Sequence, residues 1–328
     1  MRILYHRVMA VLAAIFFRFP ANEMTVIAVT GTNGKTTTCN LIHQIFTEAG
    51  KRTGMITTVN FKIVKEERAN EFKQTTLSPF LMQRLLRDMV KARCEVAVIE
   101  VTSHAMIQSR MWGINVDTAV FTNLSHDHLD YHGTMEEYKA AKGRLFNELN
   151  VSARKSGVPK MTVINQDDAE QEYFSRFPAD HQFMFGIQKG TYNARNLEAR
   201  PDGTTFMIKI PNGEEVVNFK IPGRMNVYNA LAAATVGVAH HIALPTIKTA
   251  LEKMQAVPGR LETINEGQPY TVVVDYAHAA DALEQLLTLF REVTAGKLYL
   301  VFGATGDRDK SKRPRMGEIA DKYADFIV

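Results

Sequence analysis

The residues best suited to chemistry stand in one run: Thr30, Gly31, Thr32, Asn33, Gly34, Lys35, Thr36 and Thr37 (TGTNGKTT). It lies between a short β-branched stretch, residues 25–29 (TVIAV), and a helical stretch, residues 35–49. Glycines let a backbone wrap a phosphate chain, and the start of a helix adds N–H donors and a favourable dipole. Lys35 would then offset charge on the β- and γ-phosphates of a nucleotide, and the Thr36 hydroxyl would reach a magnesium ion. The spacing departs from the full phosphate-loop pattern, because Val29 takes the place of its first glycine. A chance Gly-Lys-Thr on a turn is the bland alternative, and the strand before and helix after argue against it.

A second group of reactive side chains follows. Glu100 lies near the end of a strand-like run, residues 95–101 (EVAVIEV), with Ser103 and His104 just beyond. Open α/β sheets bind ligands outside the carboxyl ends of their strands, so Glu100 is expected to meet a nucleotide-bound metal. A further strand-like run, residues 117–122 (DTAVFT), leads into residues 122–132 (TNLSHDHLDYH) with three histidines and two aspartates. His128 is the expected ligand there, Asp127 remains open, and His126 and His132 read as ordinary loop residues. Imidazole also suits zinc. A phosphate loop calls for an oxygen-preferring ion, which favours magnesium or manganese.

These groups need a frame. Helical periodicity in residues 79–92 precedes the Glu100 strand, and residues 161–165 (MTVIN) form a fourth strand-like run. Strands alternating with helices predict an α/β, doubly wound, mostly parallel sheet. Residues 186–221 change to short alternating strands with turns at Pro201-Asp202-Gly203 and Pro211-Asn212-Gly213, an attached antiparallel patch. An Ala-rich helix is expected over residues 226–240. After Val257-Pro258-Gly259 a new unit opens: strand 271–275, helix 281–293 and strand 298–302, a partial Rossmann-like α/β domain. The expected organisation is an apolar helical segment at 1–24, a nucleotide-binding domain at 25–257 and a further domain at 258–328.

Bulk properties narrow the function. Lys plus Arg number 39 against 35 Asp plus Glu, spread along the chain, which suits a nucleotide better than nucleic acid. Cys39 and Cys94 stand far apart without a partnering motif and read as small buried residues in a reducing cytoplasm. Residues 8–17 (VMAVLAAIFF) follow Arg2, His6 and Arg7 and resemble the start of a signal peptide, but Arg18 ends the run before it can span a bilayer. A helix packed on the body is the expectation; peripheral membrane contact by residues 1–20 is the minority view.

Taken together, residues 30–37 (TGTNGKTT), 100–105 (EVTSHA), 121–133 (FTNLSHDHLDYHG), 222–232 (PGRMNVYNALA), 275–278 (DYAH) and 303–317 (GATGDRDKSKRPRMG) resemble the Mur ligases, most closely the UDP-N-acetylmuramoyl-tripeptide synthetase (MurE-type) branch. The resemblance implies an ATP-dependent ligase. Phosphate passes from ATP to a carboxylate of a UDP-muramoyl peptide, and an amino acid, diaminopimelate or lysine, attacks the acyl phosphate in peptidoglycan precursor synthesis. It implies ATP and Mg2+ as cofactors and a cytoplasmic monomer. Gly31 to Thr37 would hold ATP; Thr36, Glu100, His128 and Lys142 would hold metal, with Lys142 carbamylated. Asn226 and Asn229 would lie near adenine, Arg260 between domains, and Asp275 and His278 toward ATP. Lys35, Lys142 and His128 carry the catalytic expectation, and Thr75, Thr76, Thr102, Ser103 and Arg110 would contact the muramoyl substrate.

The pattern has departures. The family's usual first domain, which holds uridine, is expected to be lacking before residue 25, and the last domain is expected to be incomplete. Leu77, Gly143 and Ala279-Ala280 replace a proline, a bulky residue and Thr-Pro. Two other readings stand beside the first: a ligase of the same superfamily with another substrate, of folylpolyglutamate or cyanophycin type, and a non-catalytic nucleotide-binding module.

Overall fold

The computed structural model describes residues 2–72, 74–127, 129–200, 202–278, 280–304 and 312–328. Among them, eleven strands form one sheet: β1 (Thr25–Thr30), β2 (Thr53–Ile56), β3 (Asn60–Ile63), β4 (Glu66–Ala69), β5 (Val96–Glu100), β6 (Thr118–Phe121), β7 (Met161–Asn165), β8 (His181–Gly186), β9 (Tyr192–Arg200), β10 (Gly203–Ile210) and β11 (Gly213–Phe219). Their spatial order is β11-β10-β9-β8-β7-β6-β1-β5-β2-β3-β4. From β9 across to β2 every neighbouring pair is parallel. At one edge β2–β3–β4 run antiparallel, and at the other β9–β10–β11 do. The antiparallel patch is therefore as expected. The small hairpin β3–β4 and the strand β8 are additions, with β8 extending the parallel run.

The helices are α1 (Arg2–Phe16), α2 (Lys35–Glu48), α3 (Pro79–Lys91), α4 (Ser103–Ile107), α5 (Leu129–His132), α6 (Met135–Val151), α7 (Gln171–Ser175), α8 (Arg224–Ala239), α9 (Leu244–Lys253), α10 (Ala280–Val293) and α11 (Lys312–Tyr323). A strand buried on both faces must send alternate side chains to two cores. Ile27 and Val29 of β1 join α2, α8 and α9, whereas Val26 and Ala28 join α3 and α6. Burying such aliphatic side chains is worth about 1.5–3 kcal/mol each, so the alternation fixes the register of the central strand. Cys39 and Cys94 are buried free thiols within these two cores. No helix among the described residues is long and apolar enough to cross a membrane.

In the C-terminal part the strands pair differently from a single sheet. β13 (Val272–Val274) lies antiparallel to β12 (Glu262–Ile264), while β14 (Tyr299–Leu300) pairs in parallel with β15 (Phe326–Ile327). The apolar core of this part sits between α10, α11 and β14. Val272 and Val274 face outward, so burial does not draw β13 to β14.

What matters for the site is that β1 stands between β5 and β6, and chain connections depart from it in both directions. A crevice opens at such a switch point, at the carboxyl ends of the strands. Thr30, Glu100 and Phe121 end the three strands there.

Candidate active site

Glycine is required at two points of the loop between β1 and α2. Gly31 has φ 150°, and a Cβ there would stand 1.9 Å from Thr122 Oγ1; Gly34 has φ 80°, and its Cβ would meet Asn229 Oδ1 at 2.1 Å. Two neighbouring elements grip the loop. From the end of β6, Asn123 accepts the Thr32 amide on its carbonyl at 2.8 Å and the Asn33 amide on Oδ1 at 2.9 Å. The Thr122 hydroxyl and the Asn123 amide donate to the Asn33 carbonyl at 2.7 and 3.1 Å. From α8, Asn229 accepts the Thr38 hydroxyl and donates to Asn226, which in turn donates to the Pro222 carbonyl. Both asparagines are buried, so in this structure they brace the loop from behind. A backbone gripped this way keeps a fixed concave shape, as a phosphate cradle needs.

The two residues expected to share a metal touch. The Thr36 hydroxyl donates to Glu100 Oε2 at 2.9 Å, across 64 positions of sequence. Glu100, 2% exposed, also accepts the Thr58 amide at 2.8 Å, which fixes its carboxylate toward the loop. One carboxylate and one hydroxyl at a phosphate loop fit Mg2+, which keeps waters and takes its other oxygens from substrate phosphates. They do not fit a zinc cage, and no group of three or more His, Cys, Asp or Glu that could hold a metal occurs among the described residues. His128 lies outside the described residues.

The site is crowded with positive charge. The Lys35 ammonium donates to the carbonyls of Gly31 and Thr32 at 3.0 and 2.6 Å. Lys142, on α6 and 2% exposed, donates to the same Gly31 carbonyl at 2.6 Å and lies 4.3 Å above the Tyr138 ring. Burial holds the Lys142 ammonium well below its ordinary pKa, with repulsion from Lys35 adding to it and Asp127 opposing. Lys35 is also lowered: burial is the largest cause and Arg260 adds to it, while Glu100 and Asp127 pull the other way. The two lysine nitrogens thus share one neutral carbonyl: Lys35 is available to an anion, and Lys142 is pressed toward its neutral amine.

Beside this centre lies a second network. Arg110 donates to the Thr76 carbonyl and, through Nε and Nη2, to Gln108 Oε1 at 2.9 and 2.5 Å. The Thr76 and Thr102 hydroxyls are 3.2 Å apart, and Ser103 Oγ lies 2.8 Å from His132 Nε2. Thr76, Thr102, Ser103 and Arg110 are thus held together, and Thr75 precedes Thr76 on its loop. His132, read as an ordinary loop residue, is buried at the end of α5 and orients Ser103. Gln108 and Tyr138 also escaped the sequence reading. Gln108 aligns Arg110, and the Tyr138 hydroxyl pairs with Thr32 Oγ1 at 3.3 Å while its ring underlies Lys142. The only advance signal was their position one or two turns from residues already suspected.

The C-terminal residues are placed less directly. The Arg260 guanidinium is 4.7 Å from the Tyr276 ring, and its charge is among those that lower Lys35. Asp275 accepts the amides of Leu261 and Ala277 and shapes the turn around it. His278 is exposed, with Nδ1 3.0 Å from the Tyr276 carbonyl. Ala279 and residues 305–311 of the 303–317 motif lie outside the described residues. At Gly143 the missing bulky side chain has a substitute: a Cβ there would stand 2.5 Å from the Tyr173 hydroxyl, so Tyr173 already fills the space.

This geometry can be set against known proteins. Residues 29–237 match the Mur ligase middle domain, and residues 259–328 match the Mur ligase glutamate ligase domain. The chain belongs to the Mur ligase family. Among curated relatives, the Mur ligase chain is 42% identical over 320 residues to the UDP-N-acetylmuramoyl-L-alanyl-D-glutamate–2,6-diaminopimelate ligase of Bacillus velezensis, covering 97% of this chain and 65% of that protein. To the protein of the same name in Geobacillus kaustophilus it is 43% identical over 323 residues, covering 98% and 65%. A solved structure of a UDP-N-acetylmuramoyl-L-alanyl-D-glutamate–2,6-diaminopimelate ligase superposes with a TM-score of 0.74 at 33% identity, covering 93% of this chain and 61% of that one. The chain thus spans about 65% of the length of these curated relatives.

Proposed function

We propose that this Mur ligase joins an amino acid, diaminopimelate, to a carboxylate of a UDP-N-acetylmuramoyl dipeptide, using ATP, within the cytoplasm. The observation that carries the proposal is the Thr36–Glu100 contact beside two ammonium groups on the Gly31 carbonyl, next to a polar shelf of Thr76, Thr102, Ser103 and Arg110. The relatives' names supply the substrates. Residues 25–257 would form the nucleotide-binding unit and residues 258–328 the unit that closes on it through Arg260.

In this reading the loop amides and Lys35 hold the β- and γ-phosphates, and Lys35 offsets the charge that builds as the γ-phosphoryl group moves. Arg110, aligned by Gln108, fixes the anionic end of the muramoyl peptide so that its carboxylate faces the γ-phosphate. Attack of that carboxylate gives an acyl phosphate and ADP; the amine then displaces phosphate to form the amide. Mg2+, when bound by Thr36 and Glu100, would neutralise phosphate charge. Carbamylation of Lys142 is part of the proposal. A lysine held well below its usual pKa spends more time as a free amine, the form that adds CO2, and the resulting carbamate would turn a repelling cation into an anion.

The test is ADP release by the purified protein with and without each substrate. Release that requires both the UDP-muramoyl dipeptide and diaminopimelate is expected; equal release without them would end the assignment. Lys142→Ala is expected to lose activity that short carboxylic acids partly restore, and failure of that rescue would remove the carbamate.

A further inference from the structure

The end of β7 and the turn after it, residues 165–170, reach the β1–α2 loop through Asn123. Asn123 makes three hydrogen bonds to that loop: its carbonyl accepts the Thr32 amide, and its carboxamide meets the Asn33 amide and carbonyl. Both peptide groups of Asn123 are held from behind. Asn165, the last residue of β7 and buried, donates to the Thr122 carbonyl at 2.8 Å, which fixes the peptide before Asn123. Asp168 Oδ2 accepts the Leu124 amide at 2.9 Å, which fixes the peptide after it. The carbonyl of that second peptide is the one that accepts Thr32. An amide held by a carboxylate is held roughly twice as firmly as one held by a neutral oxygen, so Asp168 sets the plane in which this carbonyl points.

The turn is itself fixed. Asn165 Oδ1 accepts the Asp167 amide at 3.1 Å, and Asp168 Oδ1 accepts the Glu170 amide at 2.9 Å. The Asp167 carboxylate takes the amides of Ile187, Gln188 and Lys189 and the Tyr228 hydroxyl, the last at 2.8 Å. Tyr228 stands on α8 directly before Asn229, which braces the β1–α2 loop from its other side. One turn therefore ties together the two elements that grip the loop. A network of this kind transmits a small displacement, because each carbonyl and amide in it has a single direction to point.

We infer that Asn165 and Asp168 are positioning residues for the nucleotide: they set the two peptide planes of Asn123 and, through Asn123, the shape of the loop that cradles the phosphates. The inference rests on the assignment of that loop to nucleotide phosphates. It is tested by titrating ADP with Mg2+ into the purified chain in a calorimeter, which reads binding without turnover. Asp168→Ala is expected to weaken ADP about tenfold. Asn165→Asp keeps the side chain's shape and its acceptor for the Asp167 amide but loses the donor to Thr122, and a loss of about three- to tenfold is expected. Asp168→Asn, whose carboxamide oxygen can still accept the Leu124 amide, is expected to stay within about threefold of the parent. In an Asn123→Ala background, Asp168→Ala is expected to cost no more than about threefold further, because the path to the loop is already broken. ADP affinity unchanged in both Asp168→Ala and Asn165→Asp would overturn the inference, even if their melting temperatures fall, since the turn would then serve stability alone. An undiminished tenfold loss in the Asn123→Ala background would overturn it too. Lys35→Ala separates this from the loop assignment: weaker ADP binding there beside unchanged binding in Asn165→Asp and Asp168→Ala removes only the positioning role. ADP binding unaffected by Lys35→Ala would take down the loop assignment and the inference with it.

Discussion

Two sets of buried lysines sit at opposite ends of the same parallel strands and are held in opposite ways. At the amino ends, Lys160 donates to Val116, Ser152, Ala153 and Asp117, and Lys155 donates to Met24, Asn115 and Asp117. Asp117 also accepts the Val26 amide, tying β1 to β6. The two ammonium groups there share the Asp117 carboxylate and are otherwise surrounded by backbone carbonyls and the Ser152 hydroxyl. At the carboxyl ends, Lys35 and Lys142 crowd one carbonyl, and burial together with Lys35 depresses proton binding by Lys142. Lysines gathered round a carboxylate form a structural joint, whereas lysines crowded on a neutral carbonyl are open to an anion or to modification.

The sharpest way to break this comparison is Lys35→Ala. Loss of the phosphate partner is expected to lower turnover by about 10²–10³-fold or more, with the melting temperature held or raised because a desolvated cation is gone. Undiminished turnover in a kinetic assay would remove the loop from the chemistry. At the other end, Asp117→Asn leaves Lys160 and Lys155 buried without a carboxylate. A stability loss of about 3–5 kcal/mol in urea unfolding is expected, with no change in KM for ATP if the protein is assayed below its transition. An altered KM with intact stability would reverse the assignment of the two ends.

A smaller effect concerns pH. Burial drives His240, which pairs with the Thr118 hydroxyl near the amino ends, and His43 on α2 both down to about 4 from 6.5. The unfolded chain therefore takes up protons before the folded one does. Stability is complete above pH 6.5 and falls as the pH drops toward 4, by up to about 3 kcal/mol per histidine. His240→Gln is expected to remove about half of that loss between pH 7.5 and 4.5. An unchanged slope in urea melts would show that this histidine charges freely in the folded protein.

The strong parallel elements were legible in the sequence because they are buried on both faces and rich in aliphatic residues, as in β1, β5 and β7. β4 (EERA) is exposed at every residue and carries no apolar signal, and β8 is buried only at Phe185 and Gly186. In the C-terminal unit the pairing of the strands was not legible for a related reason: β13 and β14 looked alike as strings, but their burial differs. In the site, Lys35, Thr36, Glu100 and Lys142 stood out by residue type and motif. His132, Gln108 and Tyr138 did not, because their work comes from long-range packing: a ring beneath an ammonium, an amide aligning an arginine, an imidazole on a serine hydroxyl.

The central claim is that the carboxyl ends of β1, β5 and β6 form one phosphate and cation centre. It is tested most directly by diffraction from crystals grown with a non-hydrolysable ATP analogue and Mn2+. The anomalous peak should lie within bonding reach of Thr36 Oγ1 and Glu100, with the γ-phosphate displacing the Lys35 ammonium from the loop carbonyls. A triphosphate bound elsewhere, or a manganese ion away from both side chains, would contradict the account.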